Sequence, residues 1–232
     1  MNKIEIAQAI VKECHNCELR KEGMTPVPIQ GHENSKVVVI GTGPAYYEIR
    51  DGVPWVGKVG RFTRKLVHDV GLRSVSWMNA VACSDAPSQE HILACRSNLY
   101  DQINATNAKF ALLLGAPALS SLHPFRLVLR DVHGLWWKLT TGQWAMATYH
   151  PATVYHGYTP QYEVSLRHDL DEFAGSVLLE DLKPPKLSEH CIVCGKWKTY
   201  DQQGIPFCSE CYPKQKRHKG YTQLNLLEGL DP

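Results

Sequence analysis

Eight cysteines in this chain fall into two groups of four. The downstream group, Cys191-x2-Cys194-x13-Cys208-x2-Cys211, has the pairwise spacing that wraps four thiolates around one tetrahedral zinc. A closed site of that kind folds a small module and leaves no open position for chemistry. The upstream group is looser: Cys14-x2-Cys17 lies near the start, and Cys83 and Cys95 follow far downstream. A metal group held by these four would staple distant segments of one fold together. Cys95 also lies on an apolar face with Ile92 and Leu99, so by itself it reads more readily as a buried core cysteine than as a ligand. The opening residues Met1 to Glu5 carry no basic start or apolar run of a signal peptide, and nowhere do about 18 apolar residues run together. A soluble cytoplasmic protein is therefore expected, and in that reducing compartment paired cysteines favour metal over disulfides.

The elements that must position these groups can be read from periodicity. A chain of 232 residues, 44% hydrophobic, accommodates one domain with a real core and a small appendage. Its formal net charge of +2 means that nucleic-acid contact would have to come from local patches. Ile4, Ala7, Ile10, Val11 and Cys14 recur at helical spacing and predict an opening helix that delivers Cys14 and Cys17 at its end. Val37 to Ile40 is a β-branched run that stops at Gly41-Thr42-Gly43-Pro44, a buried strand leading into a tight loop. Val59 to Val70 predicts a helix ending at Gly71, 75–82 a strand, Ile92 to Ile103 a helix, and Phe110 to Leu114 a third buried strand, with Pro117 in the first turn after it. Strand and helix alternate, which implies a parallel sheet flanked by helices. Residues 126–139 and 144–149 are expected to be further strands, and 161–182 a closing helix. Pro184-Pro185 ends that helix. The expected domains are thus 1–182, a linker over 183–189, a ribbon over 190–213 and a basic tail over 214–232.

Gly41-Thr42-Gly43 after a strand invites a dinucleotide-binding reading. The third glycine would fall at Tyr46, and the stretch from Tyr46 to Val53 stands where the helix should begin, so the fingerprint is incomplete. A different pattern accounts for more of the chain. Gly41 to Ala45, then Glu48, Gly52, Pro54-Trp55-Val56-Gly57 and Gly60, resemble the first motif of the family 4 uracil-DNA glycosylases, the iron–sulfur branch of that superfamily. Met78 to Cys83, Leu113 to Ala118 and Thr148 to Ala152 resemble its next three motifs in order. The resemblance spans about residues 4 to 180.

It implies a three-layer α/β sandwich with a central, mainly parallel sheet, and the small C-terminal zinc ribbon is an addition to that plan. It implies a 4Fe-4S cluster on Cys14, Cys17, Cys83 and Cys95, and Zn2+ remains the expectation for Cys191, Cys194, Cys208 and Cys211. It also assigns roles for excising uracil from DNA, a reaction in which a base must leave the stack, be recognised and depart as an anion. Trp55 would stack on the base. Asn79 would pair with the uracil edge and disfavour the reversed pattern of cytosine. His150 would donate to the oxygen that gains charge. Backbone N–H groups of Gly41, Gly43 and Ala45 would approach the base closely, and Glu48 would position water or exclude a 5-methyl group. The departure is Thr42, where the family's motif has Glu: Thr42 can hold a water but is no carboxylate base. A binding protein or replication accessory that keeps the fold without catalysis is the alternative. No lysine matches a Schiff-base role, so a monofunctional glycosylase is expected, acting as a monomer. Tyr155, His156 and Tyr158 fall where the family places a DNA-intercalating loop, or form a plain surface loop. In the tail, Lys214 to Lys219 is a basic run that suits phosphate contact or solvent equally. Gln223, Leu224, Leu226 and Leu227 resemble the short peptide by which bacterial repair and replication proteins dock on sliding clamps.

Overall fold

The computed structural model describes residues 1–21, 23–123, 127–157, 160–179, 199–200 and 206–207. The chain opens with α1 (Lys3–Lys12) and the short α2 (Glu18–Lys21), enters β1 (Val37–Gly41), and continues through α3 (Tyr46–Asp51) and α4 (Lys58–Asp69) to β2 (Val75–Asn79). Next come α5 (Gln89–Ala94), α6 (Arg96–Asn104), β3 (Phe110–Leu114), α7 (Ala116–Leu122), α8 (Leu129–Val132), β4 (Trp136–Lys138), β5 (Trp144–Thr148), α9 (Pro151–Tyr155) and α10 (Pro160–Leu178). A separate antiparallel pair joins β6 (Thr199–Tyr200) and β7 (Pro206–Phe207). The four downstream cysteines, the linker, the basic run and the clamp-like peptide lie outside the described residues.

Five strands form one sheet in the order β2-β1-β3-β5-β4. The pairs β1–β2, β1–β3 and β3–β5 are parallel, and β4 returns antiparallel to β5. The inner strands β1 and β3 are buried at every position, as a parallel sheet covered on both faces requires. Alternation along them divides the core in two. Val38, Ile40, Ala111 and Leu113 face a layer built from α1, α6 and α7, through Ile4, Ala7, Leu99, Ile103 and Leu119. Val37, Val39, Leu112 and Leu114 face the other layer, where α4 and α10 supply Leu66, Val67, Leu166, Leu170 and Phe173. This is the expected three-layer sandwich. The outer edge of β2 is covered by the Val27–Gln30 segment, whose Gln30 exchanges both backbone hydrogen bonds with Trp77 at 2.7 and 2.9 Å.

Local chemistry fixes where the elements begin. Asn2 caps α1 by accepting from the Glu5 N–H at 2.9 Å while Glu5 accepts from the Asn2 N–H at 2.9 Å, a reciprocal box that satisfies two orphan donors. Pro117 sits in the first turn of α7, as expected.

Three expectations are corrected. The predicted strand over 126–139 is a helical turn, α8, followed by a strand of three residues; apolar residues there recur often enough for either period, and only pairing with β5 selects the strand portion. The stretch from Tyr46 to Val53 does contain a helix immediately after the glycine loop. The single helix predicted across Ile92 to Ile103 is two, meeting at Cys95, which ends α5 and opens α6. In addition, β2 stops at Asn79 rather than continuing to Ala82.

Candidate active site

At the carboxyl ends of the parallel strands, where open α/β sheets place ligands, lies a pocket of about 330 Å³. Its lining includes Thr42, Gly43, Ala45, Glu48, Trp55, Asn79, Asp85 and His150. Seven of these come from the residues singled out by sequence, and Gly41 lies directly behind them. They arrive from three places. The loop after β1 supplies Thr42 to Ala45, the last residue of β2 is Asn79, and His150 follows β5. Pairing of β1 with β2 puts Gly41 opposite Asn79. Beyond the strands the carbonyls of Gly41 and Thr42 accept from the N–H groups of Ala80 and Val81 at 2.9 and 3.0 Å, so the loop is held in the same register.

Glycine is required at two points of this loop. A Cβ on Gly41 would lie 2.4 Å from a ring carbon of Trp55 and 2.6 Å from Asn79 Oδ1; one on Gly43 would lie 1.6 Å from the Ser84 carbonyl oxygen. The segment bearing Asp85 therefore backs directly on Gly43.

Trp55 is the one residue other than glycine with a positive φ, 64°, among the described residues. That conformation costs an ordinary residue about 1–2 kcal/mol and persists only when its surroundings enforce it. They do so from four sides. Its N–H donates to Glu48 Oε1, its carbonyl accepts from Arg64 Nε at 3.1 Å, and its indole N–H donates to the Met78 carbonyl at 3.1 Å. Gly60 leaves the space its backbone needs, since a Cβ there would meet Trp55 backbone at 2.3 Å. Arg64 also holds the Pro54 carbonyl at 3.0 Å and lies 4.5 Å over the ring of Trp77. Arg64 was not singled out by sequence, and a lone arginine in an amphipathic helix gave no signal.

Glu48 is buried with both carboxylate oxygens engaged by backbone: Oε2 accepts from the Ala45 N–H at 2.7 Å, Oε1 from Trp55. Burial pushes its pKa above the usual carboxylate range, while the two N–H groups and the Arg64 charge oppose that rise. Its first task is thus to hold both sides of the pocket loop together.

Asn79 is 5% exposed, and its Nδ2 is buried with no hydrogen-bond partner. An unpaired buried donor costs about 1–3 kcal/mol; on a residue that lines a pocket, that donor can be met by an acceptor placed there. His150 caps α9, accepting from the Ala152 N–H through Nδ1 at 3.2 Å. That bond leaves the imidazole proton on Nε2. Burial lowers the His150 pKa to about 4, so the side chain is a neutral donor near pH 7. Its ring faces Trp55 at 5.7 Å and 19° between planes. Behind it, buried Asp169 on α10 accepts from Thr148 Oγ1 at 2.5 Å and pairs with His133 Nδ1 at 2.8 Å, which anchors the end of β5 two residues before His150.

The upstream cysteines converge as a group. Cys83 and Cys95 are buried and Cys14 and Cys17 half-buried, all four free; Cys83 and Cys95 belong to an apolar cluster with Val11, Leu19 and Ile92, and Cys17 packs against it. Burial, then the neighbouring Cys95, Cys17 and Cys14, pushes the Cys83 thiol up to about 12; burial raises Cys95 to about 11. Among the described residues no three His, Cys, Asp or Glu side chains are arranged to share one metal ion. Arg20 ties the segment down by donating to the Cys14 carbonyl at 2.9 Å. Among the described residues no helix is long and apolar enough to cross a membrane.

Comparison with known proteins places this arrangement. Residues 28–171 match the uracil DNA glycosylase superfamily. The chain is 31% identical over 193 residues to a type-4 uracil-DNA glycosylase of Pyrobaculum aerophilum, covering 76% of this chain and 96% of that protein. A type-4 uracil-DNA glycosylase of Thermotoga maritima is 30% identical over 156 residues, 64% of this chain and 81% of its own length. One from Sulfurisphaera tokodaii is 24% identical over 217 residues, 88% and 96% of the two chains.

Two outcomes are expected from this geometry. Glu48→Gln replaces one acceptor oxygen with an amide that cannot accept, so one of the two backbone donors loses its partner; a loss of about 1–3 kcal/mol is expected in urea denaturation followed by tryptophan fluorescence. For His150, the folded pKa of about 4 lies below the ordinary 6.5, so between those values the unfolded chain binds the proton and the folded one does not. The contribution is intact above pH 6.5 and is lost as pH falls toward 4. The urea midpoint should fall across that window, and by less in His150→Gln.

Proposed function

The chain belongs to the type-4 uracil-DNA glycosylases of the uracil DNA glycosylase superfamily, and from that membership we propose that it excises uracil from DNA, hydrolysing the N-glycosidic bond to leave an abasic site. The observation that carries this reading is the buried, unpartnered Nδ2 of Asn79 in a pocket that also holds a neutral His150. Uracil presents a carbonyl beside a ring N–H. The Asn79 amide offers the matching donor and acceptor, whereas cytosine reverses the pattern. A pocket of about 330 Å³ is at the small end of the roughly 300–1,000 Å³ range of ligand pockets, which suits one base taken out of the stack.

The parts act on the leaving group. As the bond from C1′ to uracil N1 breaks, its electron pair moves into the ring and onto a carbonyl oxygen. His150 donates its Nε2 hydrogen bond to that oxygen, and as a preorganised neutral donor it stabilises charge that exists only in the transition state. Trp55 supplies the apolar wall. Its ring stands 5.7 Å from His150, less than the about 7 Å that two stacked contacts of about 3.5 Å need. The base therefore lies on the part of the indole that His150 leaves uncovered, with the imidazole at its carbonyl edge. Water attacks C1′ and sheds its proton to solvent or to a carboxylate of the pocket. Thr42 orients that water through its hydroxyl, and Glu48 shapes the loop that carries it. Retention of the polar groups that bind and polarise the base favours an active enzyme over a protein that only binds DNA.

Cys14, Cys17, Cys83 and Cys95 are the residues that would hold a 4Fe-4S cluster, the group that four cysteine thiolates bind. The reading is supported by four free cysteines, of which Cys83 and Cys95 lie in one apolar cluster with Cys17 packed against it. The cluster would join the end of α1 to the segment after Asn79, a structural role. Cys191, Cys194, Cys208 and Cys211 would hold zinc, Gln223 to Leu227 would dock on a sliding clamp, and the protein would work in the cytoplasm as a monomer.

A uracil-containing oligonucleotide incubated with the protein and then treated with alkali is expected to break at the uracil; intact strands, single and double, would remove the enzymatic reading. Asn79→Ala should lower kcat/KM by about 10- to 100-fold, the cost of one or two charge-free hydrogen bonds to the base. The purified protein should be brown with absorbance near ~400 nm, and Cys83→Ala should abolish the colour. A colourless wild-type protein with iron absent on metal analysis would remove the cluster.

A further inference from the structure

The helix that follows the pocket loop carries two aromatic side chains that the core does not use. Tyr46 is 72% exposed and Tyr47 47% exposed. They sit between Ala45 and Glu48, both of which line the pocket, so they lie on its rim. The two rings meet edge to face, with centroids 5.4 Å apart at 79°. Arg50 lies over the Tyr47 ring at 5.1 Å, one turn further along α3. Its guanidinium is held by Asp51 at 2.6 and 3.1 Å, which balances its charge locally. The patch therefore offers flat aromatic faces more than net positive charge. Glu48 fixes it against the pocket, because the same carboxylate that holds Ala45 belongs to this helix.

Exposed tyrosines on a short, anchored helix keep their apolar faces in water, a cost that a stacking partner removes. Any DNA that delivers a base into the pocket must bring its neighbouring nucleotides across the rim. In a duplex those neighbours are already stacked and paired. In a single strand they are free, and base–aromatic stacking is sequence-tolerant. We propose that Tyr46 and Tyr47 form a stacking shelf for an unpaired base next to the nucleotide in the pocket, so that the protein favours uracil in single-stranded over duplex DNA. The proposal rests on the pocket's being the uracil site and adds to it the form of the substrate.

The test compares wild type, Tyr46→Ala/Tyr47→Ala and Tyr46→Phe/Tyr47→Phe on one uracil-containing oligonucleotide, single-stranded and annealed to its complement. Stacking is worth about 1–3 kcal/mol per base, so the alanine pair should raise KM for the single strand by about 10-fold, leave kcat within about twofold and change the duplex values little. The phenylalanine pair keeps the ring faces and should behave as wild type. Unchanged single-strand KM, an equal loss on both substrates, or failure of phenylalanine to restore binding overturns the shelf. Fluorescence anisotropy with a uracil-free, single-stranded oligonucleotide makes the same comparison without catalysis. If wild type releases no uracil, the enzymatic reading fails, and the anisotropy decides the shelf by itself.

Discussion

The carboxylate of Glu48 reaches back to the N–H of Ala45 and forward to the N–H of Trp55, and the shape of the pocket follows from that bridge. It closes a loop whose far side stands in a left-handed conformation that tryptophan does not choose. Without the bridge, the Trp55 ring would have no reason to stay beside His150, and Gly41 would face empty space. Arg64 completes the arrangement from behind by holding the carbonyls of Pro54 and Trp55. One charged pair, half removed from water, thus fixes an apolar wall through backbone contacts alone. Burial raises the Glu48 pKa while those same contacts oppose the rise. The side chain expected to act on water is also the one that builds the site.

The rest of the site depends on the sheet. Parallel pairing aligns the ends of β1, β2 and β5, so three loops distant in sequence converge at one edge. Asn79 gains its place from pairing with Gly41, and His150 from capping the helix that follows β5. Each polar group is left with one unmet valence facing the pocket: the Nδ2 of Asn79 and the Nε2 of His150. Of the buried side-chain polar atoms without a partner among the described residues, only the Asn79 amide belongs to a residue lining this pocket. The cysteine cluster lies just behind, joining the first helix to the residues after Asn79. Support and chemistry are thereby kept apart.

Much of this was legible in the sequence because the inner strands β1 and β3 are short, wholly apolar runs that stop at a glycine. Val37 to Gly41 and Phe110 to Leu114 were found nearly to the residue. The region 126–139 misled because its apolar residues fit two periods, and the partner strand β5 chose between them. The helix over Tyr46 to Asp51 was hidden by Pro44 and by a sequence with no apolar stripe; its stability comes from Glu48 contacts that no local pattern reveals. Arg64 and Asp169 escaped for the same reason, since each matters through partners far along the chain.

Residue identity and spacing by themselves determined the sheet, the helices that flank it, the two cysteine groups and most of the residues that line the pocket. Side-chain type sets what a group can donate or accept, and burial period sets which strand it lies on, and both are local properties. Only the tertiary structure decided what each group is free to do. Glu48 is committed to backbone, His150 is neutral and donates through Nε2, Asn79 keeps an unpaired amide, and Tyr46 and Tyr47 stand in solvent at the rim. Hydrogen-bond valence and desolvation are shared among residues that meet only after folding, so the commitment of each group is a property of the assembled pocket.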